Sequence, residues 1–380
     1  MSRIDELIQE LAPHGVEFKT LGEVMRIKNG KDHKALRDGD IPVYGSGGIM
    51  RYVDTAAAEG PTVLIPRKGS LGNLFYVEGP FWVVDTIFRT EINPSMIEPK
   101  FLYYQLLTMG LGGMNQAGGV PSQTQSVLNL LRIPVPPLEV QQEIVRILDQ
   151  FTQLEAELEA ELEARRHQYN FYLRTLVMTN DAPKLRMGDI GTFIRGRRFT
   201  KNDVVSSGVP SIHYGEIYTH YGVSASRALN EVRSDMASQL RFAQPGDVVF
   251  AGVGETVRDV GKAVAWLGDT PVAVHDDTFS FSSAVNPKYI AYAVQTDDFH
   301  AQKANFVARG KVKRLSSAGL SEIVIPIPSV DEQARIVSIL DKLDALTNDL
   351  SVGIPAEIAA RRSQYEYYRG RLLTFEEAVA

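Results

Sequence analysis

The stretch Ile133-Pro-Val-Pro-Pro-Leu-Glu-Val-Gln141 occurs a second time in this chain, with changes, as Ile325-Pro-Ile-Pro-Ser-Val-Asp-Glu-Gln333. The two copies are 192 positions apart. At the same separation, Ile144-Val-Arg-Ile-Leu-Asp149 matches Ile336-Val-Ser-Ile-Leu-Asp341. Matches of this length at one fixed separation indicate an internal repeat, so the 380 residues contain one structural unit used twice.

A third pair of segments, Ala164-Arg-Arg-His-Gln-Tyr169 and Ala360-Arg-Arg-Ser-Gln-Tyr365, is 196 positions apart, so the second copy carries four extra residues. Apolar residues around these segments recur every three or four positions, which predicts one long helix per copy. We expect the two helices to pack as an antiparallel coiled coil, because each stripe alone would expose too much apolar surface. Gly353 and Pro355 should kink or break the second helix.

The segments before each helix resemble each other more faintly: Asp85-Thr86, for example, matches Asp277-Thr278. They contain short β-rich runs separated by Gly and Pro, with helices predicted at 100–108 and 288–295. The predicted fold class is therefore α/β, with two variable α/β domains, two long helices and a pseudo-twofold repeat. The predicted boundaries are 1–20 (N-terminal helical segment), 21–137 (first variable domain), 138–180 (central helix), 181–328 (second variable domain) and 329–380 (C-terminal helix).

The composition of the chain excludes several kinds of site and several classes of protein. The chain has no cysteine, which excludes disulfides and thiolate metal sites, and its net charge is −6. Its first residues lack the basic and apolar segments of a signal peptide, and its longest uncharged stretch is too polar to span a bilayer. We expect a cytoplasmic protein with no membrane partner.

The charge is unevenly distributed along the sequence. Residues 21–137 and 181–328 carry net charges of +1 and +2, whereas residues 138–180 and 329–380 carry −4 and −3. The acidic residues therefore belong mainly to the predicted helices. The overall negative charge does not argue against a nucleic-acid partner for the variable domains.

Basic residues of the variable domains cluster beside glycines, aromatic residues and amides. Glycine lets a backbone approach phosphate closely, Lys and Arg neutralise phosphate, and neighbouring polar side chains can reach base edges. Solvated loop tips are the alternative interpretation of any single cluster. The predicted DNA-binding residues are Lys28, Lys31, His33, Lys34, Tyr44, Arg67, Lys68, Ser70, Gln123 and Gln125 in the first domain, and Arg195, Arg197, Arg198, His213, Tyr214, His220, Tyr221, Arg258, Arg309, Lys311, Lys313 and Arg314 in the second.

Catalytic motifs are missing. The sequence has no GxxxxGK[ST] phosphate loop, no HExxH and no histidines at metal-ligand spacing, so we expect no catalytic residue, cofactor or metal in this chain. Phe250-Ala-Gly-Val-Gly254 does resemble the cofactor loop of S-adenosylmethionine-dependent methyltransferases, which gives the alternative function. The next apolar run, 263–267, follows too soon for a crossover helix. A strand followed by a glycine turn is the favoured interpretation.

The IPxP-x(4)-Q-x(2)-IV-x-ILD motif, the ARR-x-QY motif and their duplication resemble the specificity subunits of type I restriction-modification systems. The resemblance implies two target-recognition domains that read a bipartite, asymmetric double-stranded DNA target. It also implies a non-catalytic subunit that joins two methyltransferase subunits and, in the full complex, nuclease-translocase subunits. S-adenosylmethionine, ATP and Mg would then be bound by those partners.

Such a layout makes physical sense, because helices of 35 to 40 residues are roughly 55 Å long and could separate two domains by about one DNA turn. The length of the unread spacer would then follow from the helices. Tyr169, Tyr172, Tyr365 and Tyr368 are candidates either for helix packing or for methyltransferase docking. A third hypothesis, a coiled-coil scaffold without a nucleic-acid role, stays open at this stage.

Overall fold

The computed structural model describes residues 3–114, 121–178, 182–308, 310–349 and 351–378. The chain forms two compact units. Unit 1 comprises residues 1–157 and 358–380, and unit 2 comprises residues 158–357. Each unit combines β-sheets with helices, which confirms the predicted α/β class and the two repeated units.

Unit 1 contains two four-stranded sheets among its described residues. The strand order in the first, which is antiparallel throughout, is Met25–Asn29, Ile87–Ile92, Thr62–Pro66 and Phe75–Val77. The order in the second is Gly48–Val53, Ile41–Gly45, Pro80–Val83 and Ala58–Glu59, with a parallel pair in the middle. A ribbon of Glu17–Thr20 and Arg132–Val135 joins the points where the chain enters and leaves these sheets.

Unit 2 repeats this plan with five-stranded sheets. The strand order in its first sheet is Gly191–Arg195, Thr278–Ser283, Val248–Ala251, Ala263–Trp266 and Ser224–Ala225. The order in its second is Val204–Val205, Asn230–Val232, Val209–Ile212, Val272–Val274 and Phe242–Ala243. Lys184–Arg186 pairs with Val324–Pro326 as the equivalent ribbon, and Val253–Gly254 pairs with Lys313–Arg314.

Short helices cover these sheets. Those of unit 1 are Arg3–Leu11, Leu21–Val24, Pro99–Thr108 and Gln125–Asn129, with a 3-10 turn at Leu111–Gly113. Those of unit 2 are Met187–Ile190, Tyr214–Thr219, Pro287–Ala293, Asp297–Ala304 and Ser317–Glu322, with 3-10 turns at Lys201–Asp203 and Ser234–Gln239. Helices predicted at 100–108 and 288–295 are thus confirmed within two residues at each end.

The two long helices of the repeat differ. The central helix, Leu138–Met178, is continuous for 41 residues, whereas its counterpart is divided into Val330–Asn348 and Ile354–Leu372. The predicted interruption is confirmed, and its geometry explains the glycine. A Cβ on Gly353 would lie 2.5 Å from the carbonyl oxygen of Ala345 and 2.7 Å from that of Asp349, so only glycine fits this turn.

The glutamines of the repeated motif bond to the backbone where each domain meets its helix. Nε2 of Gln141 donates to the carbonyl of Pro136 (2.7 Å), and its Oε1 accepts from the N–H of Glu98 (2.8 Å). Gln333 repeats both bonds, to Pro328 at 2.8 Å and from the N–H of Asn286 at 2.9 Å. Both glutamines are buried, so these bonds satisfy backbone groups that water cannot reach.

The aspartates of the motif form a second repeated contact. We call the contacts of Asp149 and Asp341 anchor 1 and anchor 2. In anchor 1, Asp149 accepts from Nζ of Lys100 (2.8 Å) and from the hydroxyl of Tyr104 (2.5 Å). In anchor 2, Asp341 accepts from Lys288 (2.5 Å) and from Tyr292 (2.7 Å). Burial, and then the bond to the carboxylate, raises the pKa of both tyrosines, so they remain donors at neutral pH. The repeated motif therefore fastens each domain to a long helix.

Within unit 1 the start of the central helix packs against the C-terminal helix in antiparallel order. Phe151 stacks on Tyr368, with ring centroids 5.5 Å apart, and Glu155, four residues later, pairs with Arg362. In unit 2, Tyr169 and Leu173 of the central helix share a core with Leu340. The predicted packing between the helix copies is confirmed inside each unit.

Candidate nucleic-acid interface

Several loops of unit 1 meet at one edge of its first sheet. Met25–Asn29 and Thr62–Pro66 end there and Ile87–Ile92 begins there, since Asn29 lies opposite Phe88 and Pro66 lies opposite Ile87. Backbone hydrogen bonds tie the departing loops together: the N–H of Arg67 donates to Thr86 (2.9 Å), and the N–H of Gln123 donates to Arg67 (3.0 Å). The sheet edge therefore collects residues that are far apart in sequence.

This edge carries surface 1, formed by the predicted residues with exposed or half-exposed side chains. Nη1 of Arg67 and Nε2 of Gln125 both donate to Oδ1 of Asn29, at 3.4 and 3.1 Å. The guanidinium of Arg67 also lies 5.3 Å from the ring centroid of Phe88. The predicted residues of surface 1 are Lys28, Lys31, His33, Lys34, Arg67, Lys68, Ser70 and Gln125.

Two further residues predicted for the first domain pack against the protein: Gln123 is buried and Tyr44 is half-buried. Gln123 is 3% exposed, and its Nε2 donates to the carbonyl of Pro66 at 2.6 Å. Tyr44 packs on Phe75 with ring centroids 5.6 Å apart, and burial raises the pKa of its hydroxyl. Gln123 thus supports the loops from inside, and Tyr44 packs on a core cluster that includes Leu64 and Phe81, so we leave both out of surface 1.

The same edge of unit 2 shows the same pattern of backbone bonds. Arg195 lies opposite Phe279, and Ala251 lies opposite Thr278. The N–H of Gly252 donates to Asp277 (2.8 Å), and the N–H of Leu315 donates to Gly252 (2.9 Å). These bonds correspond in position to the bonds made by Arg67 and Gln123 in unit 1. The two units therefore support their loops with one hydrogen-bond pattern.

The exposed or half-exposed predicted residues at this edge of unit 2 form surface 2, whose arginines have different partners from those of surface 1. Nε of Arg195 donates to the carbonyl of Asp276 (2.6 Å), and Nη1 of Arg314 contacts Oδ1 of Asp277 (3.1 Å). Asp276, Asp277 and His275 are the one group of possible metal ligands in the described part of the chain. Their atoms are already used: Nδ1 of His275 accepts from the N–H of Asp277 (3.2 Å), and both aspartates face arginines.

Histidine and aromatic rings lie beside these arginines. Nδ1 of His213 accepts from the N–H of Gly215 (3.2 Å) and so caps helix Tyr214–Thr219. Its ring centroid lies 4.4 Å from that of Tyr214 and 4.3 Å from that of His275. Burial and then His275 lower the pKa of His213, so the ring is neutral at pH 7, with Nε2 as a donor.

The other residues predicted for the second domain are divided between surface and core. Tyr221 is 6% exposed; its hydroxyl accepts from the N–H of Leu229 (2.7 Å), and burial raises its pKa to about 12. It supports the fold, and we leave it out of surface 2. Arg309 lies outside the described residues. The predicted residues of surface 2 are Arg195, Arg197, Arg198, His213, Tyr214, His220, Arg258, Lys311, Lys313 and Arg314.

The predicted residues did not include Asn29, Asp276 and Asp277, which hold the arginines of the two surfaces. The match between Asp85-Thr86 and Asp277-Thr278 marked one of these loops, but it did not show what the carboxylates contact. Their role depends on tertiary neighbours that are far away in sequence.

Each unit also carries an exposed aromatic pair on one of its long helices. Phe171 and Tyr172 form an edge-to-face pair with centroids 5.6 Å apart, and Tyr367 and Tyr368, 196 positions later, form the same pair at 5.4 Å. Phe171 and Tyr367 are 64% and 58% exposed. By contrast, Tyr169 is buried and its hydroxyl bonds to Gln295 (3.1 Å). Tyr169 therefore packs inside the protein, whereas Tyr172 and Tyr368 belong to the exposed pairs.

The fold around Phe250–Gly254 supports the specificity-subunit interpretation over the methyltransferase alternative. Val248–Ala251, which leads into the Gly252 and Gly254 turn, has antiparallel neighbours on both sides. The chain then returns to the same sheet at Ala263–Trp266, without a crossover helix. The parallel strand, glycine turn and helix that would cradle this cofactor do not form here.

Comparisons with known proteins agree with this architecture. A sequence profile described as "Type I restriction modification DNA specificity domain" matches residues 13–164 and 181–360. The chain is 32% identical to a putative type I restriction enzyme specificity subunit of Haemophilus influenzae, covering 95% of this chain and 96% of the relative. It is 31% identical to the EcoR124I/EcoR124II specificity subunit of Escherichia coli, covering 99% and 97%.

A solved S subunit of a type I restriction-modification system from M. genitalium has the same fold, with a TM-score of 0.61 at 16% identity over 94% of this chain and 96% of that one. No helix in the described part of the chain is long and apolar enough to cross a membrane. The two profile matches follow the internal repeat and cover most of the sequence. The chain therefore belongs to the family of type I restriction-modification specificity subunits.

Proposed function

We propose that this chain reads a bipartite, asymmetric target in double-stranded DNA, with surface 1 reading one half-site and surface 2 the other. The observation that carries the proposal is the shared hydrogen-bond pattern beneath two surfaces that present different side chains. Because the backbone hydrogen bonds are alike, both sets of loops are placed in the same way. Because the side chains on the loops differ, the sequences of the two half-sites should differ. Lys and Arg in the loops would neutralise phosphates, while Gln125, His213 and the oriented arginines would contact base edges.

The long helices would set the spacing of the half-sites. The 41 residues of the central helix correspond to about 60 Å at 1.5 Å per residue, and one DNA turn is about 34 Å. We therefore expect the two half-sites to lie a turn or more apart on the DNA. Base pairs between the half-sites would be spanned without being read.

The chain would act as a non-catalytic scaffold of a cytoplasmic complex. Two methyltransferase subunits would dock on the repeated aromatic pairs, Phe171-Tyr172 and Tyr367-Tyr368, and nuclease-translocase subunits would join the full complex. S-adenosylmethionine, ATP and Mg would be bound by those partners. The support for two identical partners is the repetition itself, since one exposed pair occurs in each unit with the same ring geometry.

Methylation mapping tests the proposal directly. The chain is co-expressed with its neighbouring methyltransferase, and the modified sequence is read from the host genome. Residues 183–328 are then replaced by the corresponding domain of a relative. These boundaries keep the ribbon of Lys184–Arg186 and Val324–Pro326 intact. We expect one half-site to change and the other to persist; a change in both halves, or in neither, would refute modular reading.

Two controls separate the other classes of function. Calorimetry of the purified chain with S-adenosylmethionine should show no binding, and a stoichiometric signal would refute the non-catalytic role. Duplex binding by the chain together with its methyltransferase should weaken steeply as salt is raised, because phosphate contacts release counterions. A scaffold without a nucleic-acid role would show no such binding.

A further inference from the structure

Lys303 is fully buried in unit 2, on helix Asp297–Ala304. Its Nζ donates to the carbonyl oxygens of Arg258 (2.9 Å) and Val260 (2.6 Å) and to Nδ1 of His300 (2.8 Å). An ammonium group has three N–H donors, so all three are used, and each acceptor is a neutral group. Fully buried lysines are rare because desolvating the charge is costly, so a lysine in this environment calls for an explanation.

The pKa values of Lys303 and His300 suit a hydrogen bond in which the lysine donates and the histidine accepts. Burial lowers the pKa of Lys303 to about 8, which leaves it mostly protonated at neutral pH. Burial and then Lys303 lower the pKa of His300 to about 4, so its Nδ1 is free to accept. The contact is thus one cation held by two carbonyls and an imidazole.

The two carbonyls belong to the recognition loop, residues 255–261, which follows the Gly252 and Gly254 turn. A second tether holds this loop, since the hydroxyl of Tyr218 lies 2.7 Å from the carbonyl oxygen of Val253 and 3.1 Å from that of Asp259. Gly261 has a φ of +87°, and a Cβ there would lie 3.0 Å from Cδ of Lys303. The loop therefore closes tightly over the lysine side chain.

The outer side of the loop presents exposed side chains, among them Val257, which is 39% exposed, and Arg258. The loop leaves the sheet from strand Val248–Ala251, at the position from which Arg67 and Lys68 leave the sheet of unit 1. Gly252, which precedes the recognition loop, bonds to the loops that carry Asp277 and Leu315. The recognition loop is therefore part of surface 2.

We infer that the recognition loop determines specificity in the second half-site through Val257 and Arg258, and that Lys303 is the positioning residue that fixes its conformation. The inference rests on the proposed function. Lys303 itself touches no DNA: it holds carbonyls from inside the protein, and the side chains of the loop make the contacts outside.

The test measures methylation rates of the chain in complex with its methyltransferase on duplexes that carry every single base-pair change in both half-sites. Lys303→Met keeps the length of the side chain and removes the three donors. We expect discrimination at the base pair nearest the loop to fall about tenfold, the size of one lost base contact. Discrimination in the first half-site should stay within twofold of wild type.

A coupling measurement separates positioning from a general loss of structure. In the Val257→Ser, Arg258→Ala background, which removes the contacts that the loop offers, Lys303→Met should cause no further loss of discrimination. A uniform fall on all duplexes, or an undiminished effect in that background, would refute the positioning role.

Lys303→Met could fail to fold, and Tyr218→Phe then provides the second test. It removes only the hydroxyl that tethers the loop from the other side, and we expect a half-site-specific loss of about threefold. Unchanged discrimination in Tyr218→Phe would count against the inference. Failure of the inference is distinguishable from failure of the proposed function, because the latter would show as a wild-type complex without any bipartite target.

Discussion

Surface 1 and surface 2 share a hydrogen-bond pattern, yet they present different chemistry. In surface 1, Arg67 stacks on Phe88 and shares Asn29 with Gln125. In surface 2, Arg195 and Arg314 are held by Asp276 and Asp277. Since the shared bonds come from the backbone, the side chains can vary without loss of the loop conformation. The support of the loops and the side chains that they present are therefore separate properties of each unit.

The second sheets of the two units differ more. After Ile41–Gly45, unit 1 turns into Gly48–Val53, an edge strand with Ile49, Met50 and Tyr52 about half exposed. After Val209–Ile212, unit 2 instead forms helix Tyr214–Thr219, capped by His213. One unit therefore offers an apolar strand next to its basic loops, and the other offers a helix end with a neutral histidine. Half-sites read by such different elements should differ in sequence.

The largest expected effect concerns the exposed aromatic pairs, which recur in the two units with similar ring geometry. Phe171→Ser and Tyr367→Ser each remove one exposed aromatic ring, and each should weaken one of two methyltransferase sites by about 3 kcal/mol, or a hundredfold. Mass measurements should show complexes with one methyltransferase for each single variant and with none for the double variant. Two methyltransferases bound to the double variant at wild-type affinity would exclude these pairs as the docking site.

Two glycines of the second helix copy should respond to replacement by alanine with opposite changes in stability. Gly353→Ala should destabilise unit 2 by about 2 kcal/mol, because its Cβ would meet the carbonyl oxygen of Ala345 at 2.5 Å. Gly370→Ala, in helix Ile354–Leu372, meets nothing within 4 Å and should stabilise the chain by about 0.5 kcal/mol. Thermal unfolding measures both, and equal signs would contradict the account of the turn.

The partners of the arginines provide a smaller, half-site-specific effect. Asp277→Asn removes the charge that orients Arg314, and Asn29→Ala removes the acceptor shared by Arg67 and Gln125. We expect each to lower methylation about tenfold through one half-site only, the second for Asp277 and the first for Asn29. Methylation rates on duplexes with single changes in each half would show this. Identical profiles for the two variants would break the assignment of one half-site to each surface.

The smallest expected effect is a change in how the unfolding midpoint depends on pH. Burial and neighbouring cations lower the pKa of His300 to about 4, below its unfolded value near 6.5. The unfolded chain therefore binds more protons between these values, and this contribution to stability, complete above pH 6.5, is lost as pH falls towards 4. Between pH 7 and 4.5, His300→Gln should lose about 3 °C less in its unfolding midpoint than wild type. An unaltered pH profile in calorimetry would show that His300 does not titrate in this range.

Features that depend on residues close together in the sequence could be predicted, whereas features that depend on contacts between residues far apart in the sequence could not. The helix stripes, the break near Gly353 and the two-unit organisation were visible because they depend on spacing along the chain. Burial of Gln123 and Tyr221 was not visible, since polar side chains beside basic loops look alike in sequence whether they face solvent or the core. Gly353 was predicted as a helix breaker, whereas the structure shows that close approach to carbonyls is what demands glycine there.

The anchors suggest a consequence for how such a chain can change. Asp149 and Asp341 accept the same two partners from each domain, a lysine after a proline and a tyrosine four residues later. A domain that supplies this Pro-Lys-x-x-x-Tyr segment can make the same contacts with Asp149 or with Asp341. Under the proposed function, exchange of a whole domain would therefore change one half-site in a single event, while the proposed docking pairs on the long helices would stay unchanged.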